Sequence, residues 1–203
     1  MKKLTKNIFP IFDEIVQRSE KEKLLNQKSK VIWMTGLSGS GKTTIAKEVE
    51  KNLFSQGILT QILDGDNIRA GINNNLDFSL KGREENIRRI AEVSKLFINC
   101  GIVTINCFVS PTIAIRESVK KIIGKKDIIE VYINASLETC EKRDTKGLYK
   151  KARKGEIKNF TGINAPFEPP INPELEINTS KLSVAECTQK VLDYVLPKIK
   201  NNQ

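Results

Sequence analysis

Gly36-Leu37-Ser38-Gly39-Ser40-Gly41-Lys42-Thr43 fills every fixed position of the pattern G-x-x-x-x-G-K-[ST]. Glycines at those positions let the backbone curl so that successive N–H groups aim at one phosphate, and the helix that follows adds the positive end of its dipole. Lys42 has the reach to meet β- and γ-phosphates, and the Thr43 hydroxyl is a hard oxygen ligand suited to Mg²⁺. A glycine-rich turn with a chance lysine would lack the context present here. Val31-Ile32-Trp33-Met34-Thr35 precedes the loop and reads as a strand, and Thr44-Ile45-Ala46-Lys47-Glu48-Val49-Glu50 continues it as a helix. The stretch from Gly36 to Thr44 is therefore read as the binding loop of a nucleoside triphosphate, ATP with Mg²⁺.

Two carboxylates form the second candidate group. Asp64 and Asp66 stand in Leu63-Asp64-Gly65-Asp66-Asn67-Ile68-Arg69, at the end of the next apolar run. There one could accept the proton of an attacking hydroxyl while the other holds a metal through water. An Asp-Gly turn capping a helix at Asn67 is an equally adequate local reading. Further on, Phe78-Ser79-Leu80-Lys81-Gly82-Arg83-Glu84-Glu85-Asn86-Ile87 opens a helix on which Arg83 and Asn86, three apart, share a face. A guanidinium at that place could clamp an anionic substrate, although charged residues at a helix start are ordinarily a solvated face.

These groups need a scaffold. Apolar runs at 31–35, 60–64, 103–109 and 128–134, with a weaker one near 175–178, alternate with helical patterns near 42–56, 84–99, 112–123, 137–143 and 183–196. That alternation predicts an α/β fold, a parallel sheet with helices on both faces. Ligands bind beyond the carboxyl ends of such strands, which is where the phosphate loop and the two aspartates fall. Residues 144–173 carry little periodicity and many Gly, Lys and Pro residues, and 144–163 reads as a mobile cover over the phosphates. Residues 1–29 read as a leader with amphipathic helical character (Ile8, Phe9, Phe12, Ile15, Val16), and residues 30–203 as the domain proper.

Composition narrows the chemistry further. The chain has 203 residues and no histidine, so acid–base work falls to carboxylates, lysine or hydroxyls. Its four cysteines are far apart and form no C-x-x-C pair, which argues against a disulfide frame or a metal site. The formal charge of +10 suits polyanionic small ligands as well as nucleic acid, and no nucleic-acid-binding motif accompanies it. No apolar run approaches the roughly 20 residues that span a membrane, and the lysine-rich start lacks the apolar stretch of a secretory signal. The expectation is a cytoplasmic protein without membrane or nucleic-acid partners.

Taken in order, five stretches resemble the adenylylsulfate kinase (APS kinase) family: 35–44, 63–69, 83–90, Phe108-Val109-Ser110-Pro111 and Lys146-Gly147-Leu148-Tyr149-Lys150-Lys151-Ala152-Arg153, followed by Gly155–Gly162. The resemblance implies a P-loop NTPase fold close to the nucleoside monophosphate kinases, and a homodimer. It implies transfer of the ATP γ-phosphoryl group to the 3′-hydroxyl of adenosine 5′-phosphosulfate (APS), giving 3′-phosphoadenosine 5′-phosphosulfate for sulfate assimilation and sulfation. It also assigns Asp64 and Asp66 to catalysis and metal organisation, and Arg69, Phe78, Arg83, Asn86, Val109 and Lys158 to the APS pocket. Ser110 matches a serine considered a phosphoserine intermediate in the family. Direct transfer between bound substrates needs only positioning and charge neutralisation, which argues against that role.

The chain departs from the family at Thr112, Ile113 and Ile115, where a Tyr-Arg pair and an Asp are usual, and at Asn134-Ala135-Ser136, where Asp-Thr-Pro is usual. These changes leave open a related P-loop kinase acting on another nucleotide-linked acceptor. A nucleotide-binding module without turnover is the reading from outside the enzymes, and intact Lys42, Thr43, Asp64 and Asp66 argue against it.

Overall fold

In a computed structural model, residues 7–201 are described. The elements in order are α1 (Arg18–Leu24), β1 (Val31–Thr35), α2 (Lys42–Ser55), β2 (Thr60–Asp64), α3 (Gly65–Ala70), α4 (Leu80–Asn99), β3 (Val103–Cys107), α5 (Ile113–Ile123), β4 (Ile128–Asn134), α6 (Leu137–Arg143), α7 (Leu148–Arg153), β5 (Leu175–Asn178) and α8 (Val184–Ile199). The five strands form one sheet in the order β2-β3-β1-β4-β5, with every pairing parallel.

Side-chain alternation along β1 explains the layering. Ile32 and Met34 face one side, against Ile45, Val49 and Leu53 of α2 and Val191, Leu192 and Val195 of α8. Val31 and Trp33 face the other, against Ile87, Ile90 and Ala91 of α4 and Ile115 and Val119 of α5. Both faces of the central strands are thus covered, and β1 and β3 are buried along their whole length. The third apolar run is shorter as a strand than its sequence suggests. β3 stops at Cys107, in register with Met34 and Asp64, and the chain turns out of the sheet so that the Val109 carbonyl accepts from the Thr35 hydroxyl at 2.7 Å.

The N-terminal segment differs from its helical expectation. Residues 8–16 are not helical, and Ile8, Phe9, Phe12, Ile15 and Val16 are exposed. Pro10 lacks an amide donor and biases Phe9 away from the helical region, so helix begins only at Arg18. From there the chain is tied to the body. Gln27 is buried, its Nε2 donating to the Leu59 and Gly101 carbonyls at 3.0 and 2.8 Å while its Oε1 accepts from the Leu59 amide. Arg18 pairs with Asp127 at 2.9 Å.

Candidate active site

The sheet topology places β1 between β3 and β4, and the ends of these strands open into a single cleft of about 720 Å³. Gly36 leaves β1 with φ of +150°, and a Cβ there would collide with the Ile133 carbonyl of β4, so the loop can lie against the sheet only with glycine at this position. Gly41, at φ +103°, caps α2, and the loop runs directly into the helix N-terminus. Lys42 is buried, its ammonium donating to the Gly36 and Leu37 carbonyls at 2.9 and 2.7 Å. Burial pushes that ammonium down to about 8.

Thr43 stands one residue further, and its hydroxyl donates to Asp64 Oδ2 at 2.7 Å. Asp64 caps α3 by accepting from the Asp66 amide, so the Asp-Gly-Asp segment is a helix start at Gly65 rather than a turn leading to a cap at Asn67. Asp66 itself is exposed and forms an ion pair with Lys146 in the loop between α6 and α7. Thr43, Asp64 and Asp66 present hard oxygen donors beside the phosphate loop, a set that fits Mg²⁺.

On the far side of the cleft, Arg69 lies over the Phe78 ring at 4.2 Å and donates to the Leu76 and Asp77 carbonyls. Arg83 approaches the same ring at 5.7 Å and reaches the opposite wall, donating to Thr161 Oγ1 at 3.1 Å and the Asn159 carbonyl at 2.6 Å. Asn86 and Val109 complete this wall. Ser110 is buried with φ of +44°, and its Oγ accepts from the Trp33 indole N–H at 2.9 Å.

The cleft thus gathers Ser38, Gly39, Gly41, Lys42, Thr43, Thr44, Asp64, Asp66, Arg69, Phe78, Arg83, Asn86, Val109 and Ser110. Gly36, Leu37 and Ser40 support the loop from outside its lining. Lys158 is exposed and also stands outside the lining, one residue before the Asn159 carbonyl that Arg83 holds.

Several lining residues carry no site signal of their own in the sequence, although Tyr149 falls within one of the stretches that resemble the family. Arg143, at the end of α6, donates to the Gly39 and Ser40 carbonyls and to both the hydroxyl and the carbonyl of Thr179. Tyr149 of α7 is buried and donates to the Ser38 carbonyl at 2.9 Å, fastening the 144–163 segment to the phosphate loop. Asp144 accepts from the Tyr149 and Lys150 amides and so starts α7 within a stretch that reads as structureless. Thr112, one of the departures, caps α5 by accepting from the Ile115 amide, which gives that residue a local role of its own.

The model of the adenylylsulphate kinase family matches residues 28–178. The adenylyl-sulfate kinase of Bacteroides thetaiotaomicron is 61% identical over 193 residues, covering 95% of this chain and 96% of that protein. That of Clostridium kluyveri is 53% identical over 91% of this chain and 92% of its own. Among solved structures, the Mycobacterium tuberculosis APS kinase in complex with AMPPNP and APS superposes with a TM-score of 0.80 at 42% identity, covering 83% of this chain and 98% of that one. A gluconokinase from Sinorhizobium meliloti, at 12% identity and a TM-score of 0.57, shares the fold alone. With a family model covering most of its length and relatives this similar end to end, the chain belongs to the adenylylsulfate kinase family.

Proposed function

We propose that the chain works as an adenylyl-sulfate kinase by direct transfer of the ATP γ-phosphoryl group to the 3′-hydroxyl of APS within this one cleft, serving sulfate assimilation. The observation that carries the reading is the 2.7 Å contact between Thr43 and Asp64, which joins the phosphate loop to the paired carboxylates at the mouth of a cleft also walled by Phe78, Arg83 and Asn86.

ATP lies with its phosphates along residues 36–44 and its base toward Arg143, Thr179 and Cys187, which line the same cleft. Lys42 leaves the loop carbonyls for the β- and γ-phosphates and neutralises charge there. Thr43 and Asp64 would hold Mg²⁺, which would supply positive charge to offset that of the phosphate oxygens. APS lies against Phe78, with Arg69 and Arg83 facing its phosphosulfate and Asn86 and Val109 lining its seat. Asp66 takes the proton of the 3′-hydroxyl as that oxygen bonds to the γ-phosphorus. The bond to the bridging oxygen breaks, and ADP leaves with the electron pair. Lys146 holds Asp66 before substrates arrive, and the segment bearing Lys158 closes over them.

A homodimer in the cytoplasm belongs to the same proposal. The exposed Phe9, Phe12 and Val16 support the dimer, and among the described residues no helix is long and apolar enough to cross a membrane. Light scattering of the purified protein reads the first point. The function itself is tested by incubating the protein with MgATP and a panel of acceptors. APS-dependent ADP release with a 3′-phosphorylated product is expected, and turnover only on another acceptor would overturn the assignment.

A further inference from the structure

Asn73 lies in the loop between α3 and α4, completely buried although polar. Its backbone N–H is spent on the Ile68 carbonyl at 3.0 Å. Its side-chain Nδ2 donates to Asn86 Oδ1 at 3.0 Å and to the Asn86 main-chain carbonyl at 3.4 Å, while its Oδ1 accepts from Arg89 Nη1 at 3.4 Å. Arg89 is itself held by Glu85 at 2.8 Å and by Asn75 at 2.9 Å.

These partners remove the usual ambiguity of an amide. A main-chain carbonyl only accepts and a guanidinium only donates, so the Asn73 amide has one orientation that satisfies both. Its Nδ2 must then face Asn86, and Asn86 must answer with Oδ1. The Asn86 Nδ2 is left pointing away from Asn73, and it has no hydrogen-bond partner among the described residues although Asn86 is only 5% exposed and lines the cleft.

We infer that Asn73 is a positioning residue that fixes the polarity of Asn86, so that the acceptor side of the cleft presents a hydrogen-bond donor and selects a nucleotide with an accepting atom at that point. Arg89, anchored on α4 by donating to Glu85, starts one sense of donation that runs through Asn73 and Asn86 to the ligand. Reversing it would bring the Asn86 oxygen against an accepting atom, a buried unpaired contact that costs more than a missing one. The inference rests on the reading of Asn86 as part of the acceptor pocket.

Asn73→Asp keeps the shape and removes the donor. A carboxylate beside Arg89 stays ionised and can only accept, so the Asn86 amide must turn around. The expected result is an APS KM raised about tenfold or more, with the ATP KM unchanged and kcat at saturating APS within a few-fold of wild type. Asn86→Ala should raise the APS KM as well, and the two changes together should do no more than Asn86→Ala alone. If Asn86→Ala leaves the APS KM unchanged, the pocket reading itself is wrong. If Asn86→Ala raises it but Asn73→Asp does not, or if the two effects multiply, Asn73 is merely structural and the inference is overturned. Should Asn73→Asp not fold, hydrogen exchange of side-chain amides in the wild-type protein decides instead. The Asn73 amide protons should be protected throughout and those of Asn86 only after APS is added; Asn86 protons already protected in the free protein would overturn the inference.

Discussion

The Trp33 indole N–H donates to the hydroxyl oxygen of Ser110 at 2.9 Å, deep between β1 and the turn that follows β3. Both residues are 1% exposed, and Ser110 sits at φ +44°, a conformation that L-residues seldom adopt. Arg116, also buried, holds the Ser110 carbonyl at 2.7 Å and the Glu168 carbonyl at 2.7 Å. The serine is thus gripped from two sides, and the side-chain grip consumes a lone pair of the oxygen that a phosphoenzyme mechanism would need as its nucleophile.

Ser110→Ala should therefore keep substantial kinase activity. An oxygen that accepts from an indole, with no histidine in the chain to take its proton, is a poor nucleophile. The variant will lose stability by about 1–2 kcal/mol, because the buried Trp33 donor is left without a partner. Labelled ATP alone should leave no label on wild-type Ser110. An inactive but folded variant, with label on Ser110 that chases into product at the turnover rate, would reverse this conclusion.

The two aspartates should separate by kind of defect. Asp64 touches Thr43, whereas Asp66 is exposed and meets the loop between α6 and α7 through Lys146. Asp64→Asn should raise the Mg²⁺ concentration needed for half-maximal rate as well as lowering kcat. Asp66→Asn should lower kcat by about a hundredfold, the scale of a lost general base, with little change in Mg²⁺ requirement. Steady-state rates across a Mg²⁺ titration check both, and identical profiles for the two variants would dissolve the distinction.

How much of this could be read from the chain depends on how local each signal is. Val31–Thr35 and Ile128–Asn134 are recognisable because strands buried on both faces are continuous apolar runs. The phosphate loop is equally local, since its glycines, lysine and threonine act within eight residues. Arg143 and Thr179 are different. They meet across 36 residues, and three of the acceptors of Arg143 are the backbone carbonyls of Gly39, Ser40 and Thr179, which leave no residue-type signature. Helix α7, Leu148–Arg153, hides in a lysine-rich stretch because its start depends on the Asp144 cap rather than on apolar periodicity. The apolar spacing of Ile8 to Val16 suggests a helix, but Pro10 and the lack of a covering surface outweigh it.

Gln27 offers a test of where the folded body begins. Its amide satisfies both polar groups of Leu59 and the Gly101 carbonyl, all beside the start of β2. Gln27→Ala should destabilise the protein by about 2 kcal/mol or more, as buried main-chain groups lose their partners. For a chain of this size that corresponds to a fall in Tm of roughly 4–8 °C. Thermal unfolding measures the shift, and kcat and both KM values should stay near wild type because the site is elsewhere. An unchanged Tm would mean that the segment before β1 contributes nothing to the body.

Lys42 gives the sharpest prediction, because its two roles have opposite pH signatures. In the free protein burial holds its pKa at about 8, below the ordinary lysine value of 10.5 that applies to an unfolded chain. Between those values the folded state carries fewer protons than the unfolded one, so this lysine's unfavourable contribution is present in full below pH 8 and fades as pH rises toward 10.5. Nucleotide binding works the other way. Phosphate charge beside the ammonium raises its pKa, so ATP bound above pH 8 must take up a proton, and affinity should fall as pH climbs through that value. Calorimetry of AMPPNP binding in buffers of different ionisation enthalpy should show uptake approaching one proton at pH 9 and almost none at pH 6.5, with the difference abolished in Lys42→Met. Removing the charge should also lower kcat by about a hundredfold or more, equivalent to ~3 kcal/mol of lost transition-state stabilisation. Proton uptake that persists in Lys42→Met would place the titrating group elsewhere, and near-normal turnover by that variant would remove Lys42 from the reaction.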